Sequence, residues 1–281
     1  MIAFCSSMDQ AGPFSKDAFG CAALLDAMAS YDEKDSTCTK RREINFEKSL
    51  SKDFGSLNIG VIKNIEKLGI NEDVINAYET SKTVLTGLGH KLIEVDFSEL
   101  SSGICSYYVI APAECSSNLS RFDGVKYGYR SEGEKDIANL YMNTRSDGFG
   151  DEVKKRILIG THVLSAGFYD AYYLQAQKVR RMIKVKFENF FKDVDLIFMP
   201  TTLDQAFEKN RKSDDPNRMY KEDLLTIPAN LAGLPAISFP NGFKNNLPIG
   251  GQLIGKYFGE DLLLNTTNKI QEVTDWHKMT P

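Results

Sequence analysis

The sequence predicts an α/β fold, and three observations carry that prediction. Residues 58–63 (NIGVIK), 71–88 and 90–97 (HKLIEVDF) read as strand, helix and strand, at the spacing of a right-handed parallel crossover. Strand and helix patterns then alternate through much of the chain instead of segregating into separate halves. Finally, residues 223–240 (DLLTIPANLAGLPAISFP) place a carboxylate, Asp223, at the head of a short apolar helix. That helix ends at a Gly233-Leu234-Pro235 turn and runs into a strand.

In chain order, residues 1–5 (MIAFC) read as a strand that starts with no lead-in. Natural domains often begin with a few polar, loose residues, so Met1 is expected to be an internal methionine of a longer protein. Residues 15–30 carry apolar side chains at 18, 19, 22, 25 and 28, which is helical spacing, with Ser15 as the N-cap. The polar residues 31–57 read as a surface connection. Asn71 starts the crossover helix, with Glu72 and Asp73 in its first turn, and Gly87 and Gly89 stop it. Residues 104–122 keep a helical pattern despite Pro112. Residues 123–150 are rich in Gly, Asp, Arg and Tyr without periodicity, and are expected to be a long functional or mobile loop. Two helices follow, over 151–168 and 170–192. Residues 195–200 (DLIFMP) read as a buried strand, 203–220 as irregular, 248–256 (PIGGQLIGK) as a strand and 260–276 as a closing helix.

The composition is that of a globular protein with a substantial core: 281 residues, 42% hydrophobic and 26% charged. A net charge of −4 argues against a broad nucleic-acid-binding field. Five widely spaced cysteines (5, 21, 38, 105 and 115) form no C-x-x-C, so reduced cytosolic thiols fit better than disulfides or zinc. No apolar run reaches 18 residues, and the N-terminus is not a signal peptide.

No G-x-S-x-G elbow occurs, and His90, His162 and His277 stand far apart with no serine or cysteine motif beside them. A triad assembled in space stays open as an alternative. Cys105 and Cys115 lack a visible thiolate-stabilising partner, and no metal-ligand spacing is present. Residues 250–256 (GGQLIGK) match G-x-x-x-x-G-K, but Tyr257 stands where a P-loop needs Ser or Thr, and the residues read as a strand. The cations Lys178, Arg180, Arg181, Lys184 and Lys186 read as a solvated helix face. What remains suits a small zwitterion. An arginine such as Arg156 can grip a ligand carboxylate with its planar fork, and Asp223 can take an ammonium. On pattern alone, helix capping is the better reading of Asp223, and a solvated Lys154-Lys155-Arg156 run the better reading of Arg156.

Several longer segments resemble one family. They are residues 4–13 (FCSSMDQAGP), 107–130 (YYVIAPAECSSNLSRFDGVKYGYR), 148–156 (GFGDEVKKR), 169–180 (YDAYYLQAQKVR), 199–202 (MPTT), 214–219 (DDPNRM) and 223 through Gln252. The chain resembles the amidase signature family, and within it the A subunits of tRNA-dependent amidotransferases. The segment 107–130 separates these from other amidases. The resemblance implies an α/β fold with a mixed central sheet and helices on both faces, of which residues 1–281 would be the C-terminal part of a single domain. It implies a glutaminase that releases ammonia from glutamine. A partner B subunit, using ATP and magnesium, then converts mischarged Glu-tRNA(Gln) or Asp-tRNA(Asn), and a small C subunit stabilises the pair. A cytoplasmic enzyme that binds no metal or cofactor itself is implied.

Family catalysis uses a serine nucleophile, a bridging serine and a lysine. The Gly/Ser-rich signature and lysine segment are not found in these residues, so no catalytic residue is carried over, and the chain is expected to look truncated and to be inactive alone. The glutamine pocket is carried over: Arg156 for the α-carboxylate, Asp223 for the α-ammonium, and Tyr107, with Tyr108 as its alternative. A non-catalytic remnant that binds partner subunits, or another amidase-family hydrolase, are the competing readings. Two departures stand out. Gly251 replaces the usual leucine and is expected to weaken its strand, and Asn210-Arg211 replaces Gly-Glu.

Overall fold

A computed structural model describes residues 1–40, 45–133, 136–207 and 222–281. In chain order the first elements are α1 (Ala18–Met28), α2 (Phe46–Ser49), β1 (Asn58–Ile62), α3 (Glu72–Gly87) and β2 (Lys91–Val95). Next come α4 (Gly103–Leu119), α5 (Ile137–Gly148), α6 (Asp151–Val163), α7 (Leu174–Asp193) and β3 (Leu196–Pro200). The last are α8 (Ile227–Ala232), β4 (Ala236–Lys244), β5 (Leu247–Gly255) and α9 (Glu260–Val273). The chain divides into two compact units: a helical unit of residues 1–10 and 102–182, and a sheet unit of 11–101 and 183–281.

The sheet unit holds five strands in the order β2-β1-β3-β5-β4. β1 runs parallel to β2 and β3, whereas β5 is antiparallel to β3 and β4. The sheet is therefore mixed, as expected, and the strand–helix–strand unit at 58–97 is the parallel pair. β3 lies at the centre with every residue buried, which is why its sequence is an unbroken apolar run. Tyr78 of α3 stacks on Phe198 of β3, with centroids 5.2 Å apart, and its hydroxyl accepts a hydrogen bond from the Ile62 N–H at 2.8 Å. Burial pushes that phenol's pKa up, so it stays protonated. A second cluster joins Ala22 of α1, Phe46 and Leu50 at α2, and Leu264 of α9.

Several expectations are corrected. Residues 1–5 are not a strand. The carboxylate of Asp9 accepts from the N–H groups of Phe4 (2.8 Å) and Cys5 (3.0 Å), so a tight turn takes the donors that a strand would have needed. The N-cap of α1 is Asp17, which accepts from the Gly20 N–H at 2.7 Å, rather than Ser15. Residues 31–57 contain α2, anchored because Asp26 accepts from the N–H groups of Phe46 (2.7 Å) and Glu47 (3.0 Å). Residues 123–150 contain the twelve-residue helix α5, capped by Asp136. The second expected helix, over 170–192, opens with a π-helical turn, Tyr169–Tyr173, before α7. The P-loop-like residues 250–255 lie in β5, as their strand pattern predicts.

Gly251 does not weaken β5 by leaving a gap. A Cβ there would lie 3.0 Å from Phe198 and 3.1 Å from the Asn241 side chain, so a larger residue would require these two side chains to shift. Asn210-Arg211 and residues 214–219 lie outside the described residues. Among the described residues, no helix is long and apolar enough to cross a membrane.

Candidate functional site

In the helical unit, α4 and α6 meet at their small residues. A Cβ on Gly160 would overlap the Pro112 carbonyl and crowd Ser116, and the Ser116 and Thr161 hydroxyls hydrogen-bond at 2.8 Å. Pro112 is tolerated inside α4 and fully buried there, and Gly160 lets the two backbones touch. This packing sets where Arg156, one turn before Gly160, emerges.

The Arg156 side chain is about one-third exposed. Its guanidinium pairs with Glu152 at 3.3 Å, one turn back on α6, and lies over the Phe4 ring with 5.9 Å to the centroid. Phe4 is held by an extensive network. The Phe4 carbonyl accepts from Asn118 at 3.2 Å. Glu114 of α4 accepts from the Ser7 hydroxyl (2.6 Å), the Ser7 N–H (2.9 Å) and the Cys5 thiol (3.3 Å). Arg180 of α7 donates to the Ser7 hydroxyl at 2.6 Å and to its carbonyl at 2.9 Å. The turn at 4–9 is thus pinned between a carboxylate and a guanidinium, and it delivers an aromatic face to Arg156. Arg180 is accordingly a structural tie rather than part of a solvated face.

The two thiols near this network are held in the protonated form. Burial, and then the neighbouring Glu114 carboxylate, push the Cys5 thiol well up. Burial also raises the Cys115 thiol, against the opposing pull of Arg156. Tyr107 lies on the first turns of α4, partly buried, with its ring edge-on to Tyr108 at 5.1 Å. Eight residues of helix separate it from Cys115, about 12 Å along the axis.

Asp223 belongs to the sheet unit and is described within it. It does not cap α8: that helix begins four residues later, at Ile227, with Thr226 at the cap position. The Asp223 main-chain carbonyl accepts from the N–H groups of Thr226 (3.2 Å) and Ile227 (3.0 Å), closing the turn that leads into the helix. The buried Gln252 side chain within β5 donates to the carbonyls of Leu225 (2.9 Å) and Pro200 (3.2 Å), which ties this turn to β5 and to the end of β3. Gly233, with φ of 72°, then ends α8 as the Gly-Leu-Pro pattern predicts.

Among the described residues, no cluster of three His, Cys, Asp or Glu side chains is placed to hold a metal. The Nδ1 atom of His90 accepts from the Leu57 N–H at 3.2 Å, and His162 packs on the Phe168 ring.

The Amidase family pattern matches residues 1–264. The chain belongs to the amidase family. It is 50% identical, over all 281 residues, to the glutamyl-tRNA(Gln) amidotransferase A subunit of Coxiella burnetii, of which it covers 58%. It is 49% identical to that of Methylococcus capsulatus, again covering 58%. The crystal structure of the Thermotoga maritima A subunit superposes with a TM-score of 0.77 at 36% identity, covering 99% of this chain and 56% of that one. This amidase thus spans somewhat more than half the length of the relatives it matches.

In this amidase the sequence pattern missed Glu114, Asn118, Ser7 and Arg180 as one assembly. Their only signal was that FCSSMDQAGP, the α4 segment and the α7 segment each stood out as family-like. Gln252 carried a clearer signal, being a long polar side chain in an otherwise apolar strand.

Proposed function

We propose that this chain is the glutamine-binding part of a glutaminase subunit in a tRNA-dependent amidotransferase. The ammonia released would pass to a partner that converts Glu-tRNA(Gln) to Gln-tRNA(Gln). The observation that carries this reading is the 50% identity, over the whole chain, to proteins named as the A subunit of that enzyme. On this reading Arg156 takes the α-carboxylate of glutamine, Asp223 its α-ammonium, and Tyr107 lines the pocket. The guanidinium fork suits a carboxylate, and a carboxylate suits an ammonium.

The serine nucleophile, bridging serine and lysine belong to the part of the enzyme that these 281 residues do not span. The B and C subunits are its partners. Mischarged tRNA, ATP and magnesium are handled by the B subunit, and the complex is cytoplasmic. In the amidase fold these residues form the C-terminal part of one domain.

Calorimetric titration of the 281-residue protein with glutamine tests the pocket. Binding is expected for the parent protein. It should weaken at least about tenfold in Arg156→Lys, which keeps charge but loses the bidentate fork, and in Asp223→Asn. Unaltered affinity in both variants would refute the assignment. A glutaminase assay on the same protein should show no turnover.

A further inference from the structure

The sheet unit contains a cavity of about 310 Å³ whose lining does not include Asp223. Lys52 after α2, His90 before β2 and Lys269 on α9 bring nitrogen donors to its lining from three separate segments, and the Asp53 carboxylate lines it too. Its apolar wall is Phe54 and Leu57. Lys52 leans over the Phe54 ring, with 6.0 Å to the centroid.

The wall is built to suit an anion in two further ways. Asn265, only 5% exposed, donates its side-chain amide to the carbonyls of Ser49 (2.9 Å), Leu50 (2.9 Å) and Lys52 (3.0 Å). Those three carbonyl oxygens are thereby occupied by the Asn265 amide. His90 receives the Leu57 N–H on Nδ1, so the neutral ring carries its proton on Nε2 and keeps a donor. Two carboxylates lie nearby. Asp53 turns its Oδ1 to the Gly55 N–H at 2.8 Å, and Glu272 pairs with Lys269 at 2.8 Å. Within the lining the two lysines outnumber Asp53 by one; with Glu272 counted as well, the formal charge is balanced with a neutral imidazole and positive with a protonated one.

We propose that this cavity binds a small phosphomonoester, with the phosphate held by Lys52, Lys269 and His90 and the apolar body against Phe54 and Leu57. A phosphate offers enough acceptors for donors arriving from three segments, and an aromatic wall beside the cations favours an ester with an apolar body over free phosphate.

Proton NMR of the three histidines tests this on the full chain, with His162 and His277 as internal controls. Phenyl phosphate, inorganic phosphate and phenol are titrated in turn at constant ionic strength. Phenyl phosphate should move the His90 ring signals alone and raise its pKa by about half a unit or more, because a bound anion favours the imidazolium. Inorganic phosphate should do the same at concentrations at least about threefold higher, and phenol should do nothing. In Lys52→Gln/Lys269→Gln the phenyl phosphate affinity should fall about tenfold or more, with the urea midpoint unchanged. A His90 signal that stays still, an equal response to phenol, equal affinity for the two phosphates, or full affinity in the folded double variant would each overturn the proposal.

Discussion

Substituting Gly160 by alanine sets two opposing effects against each other, and the structure decides which wins. In an open helix position, glycine to alanine gains up to about 1 kcal/mol, because glycine loses more backbone freedom on folding. At Gly160 the new methyl group would overlap the Pro112 carbonyl and press on the Ser116 Cβ. The first obstacle is backbone, held in the middle of α4, and cannot swing aside as a side-chain tip would. Forcing an extra methyl into a packed interface costs about 1–3 kcal/mol, and an overlap this deep belongs at the upper end of that range. The net expectation is a loss of about 1–2 kcal/mol. For a chain of this size that lowers the melting temperature by about 2–8 °C. Gly87 supplies the control: it lies in α3, and a Cβ there meets nothing within 4 Å. Urea unfolding of Gly87→Ala should show equal or higher stability, and Gly160→Ala a lower midpoint at unchanged slope. If the two variants behaved alike, α4 and α6 would not touch as described, and the placement of Arg156 would lose its basis.

Two further expectations concern titratable groups. Burial holds the His90 imidazole below its ordinary value, so the unfolded chain binds this proton more readily than the folded one. Its contribution is therefore fully present above about pH 6.5, declines as pH falls through that value towards the lowered one, and is flat below it. In His90→Asn, whose amide oxygen can still accept the Leu57 N–H, the urea midpoint should drop less between about pH 7.5 and 5.5 than in the parent. An equal drop would remove His90 from the account. Among the cysteines, Cys105 is exposed whereas Cys5 and Cys115 are buried with raised thiols. A thiol reagent should label Cys105 at once in the native protein and reach Cys5 and Cys115 only on unfolding, as rates in Cys105→Ser and mass spectrometry would show.

Where periodicity met a buried face, the sequence was enough. LIFMP had to be a strand buried on both sides, and the 58–97 unit had to be a parallel crossover. Local pattern failed where distant contacts decided. MIAFC is apolar enough for a strand, but Asp9 takes its N–H groups. In α5, residues such as Asn139, Asn143, Arg145 and Asp147 hide the period, and the helix is held instead by the Asp136 cap and by Arg145, which donates to the carbonyls of Leu119 and Phe122. Gly251 reads as a flaw until Phe198 and Asn241 are seen against it. The charges at 156 and 223 were visible as charges, but pattern alone favoured the structural reading of both. The resemblance reversed that preference, and it could not show that α8 starts four residues after Asp223.

The surroundings of Arg156 bear on whether it can exchange partners. Its ion pair with Glu152 is exposed, and such pairs contribute about 0.5 kcal/mol or less on a helix. The Phe4 ring offers an attraction of about 0.5–2 kcal/mol that leaves the guanidinium edge, with its N–H donors, unspent. A bidentate ligand carboxylate competes only with the weaker of these two contacts, and it adds a second charge-assisted hydrogen bond that Glu152, touching through one oxygen at 3.3 Å, does not make. A cation resting over an aromatic ring and only loosely ion-paired can still meet a ligand carboxylate. A purely structural arginine would have its N–H groups fully committed, as Arg180 has two of its own committed to Ser7. The contrast between these two arginines of the same unit is in keeping with the proposed role of Arg156.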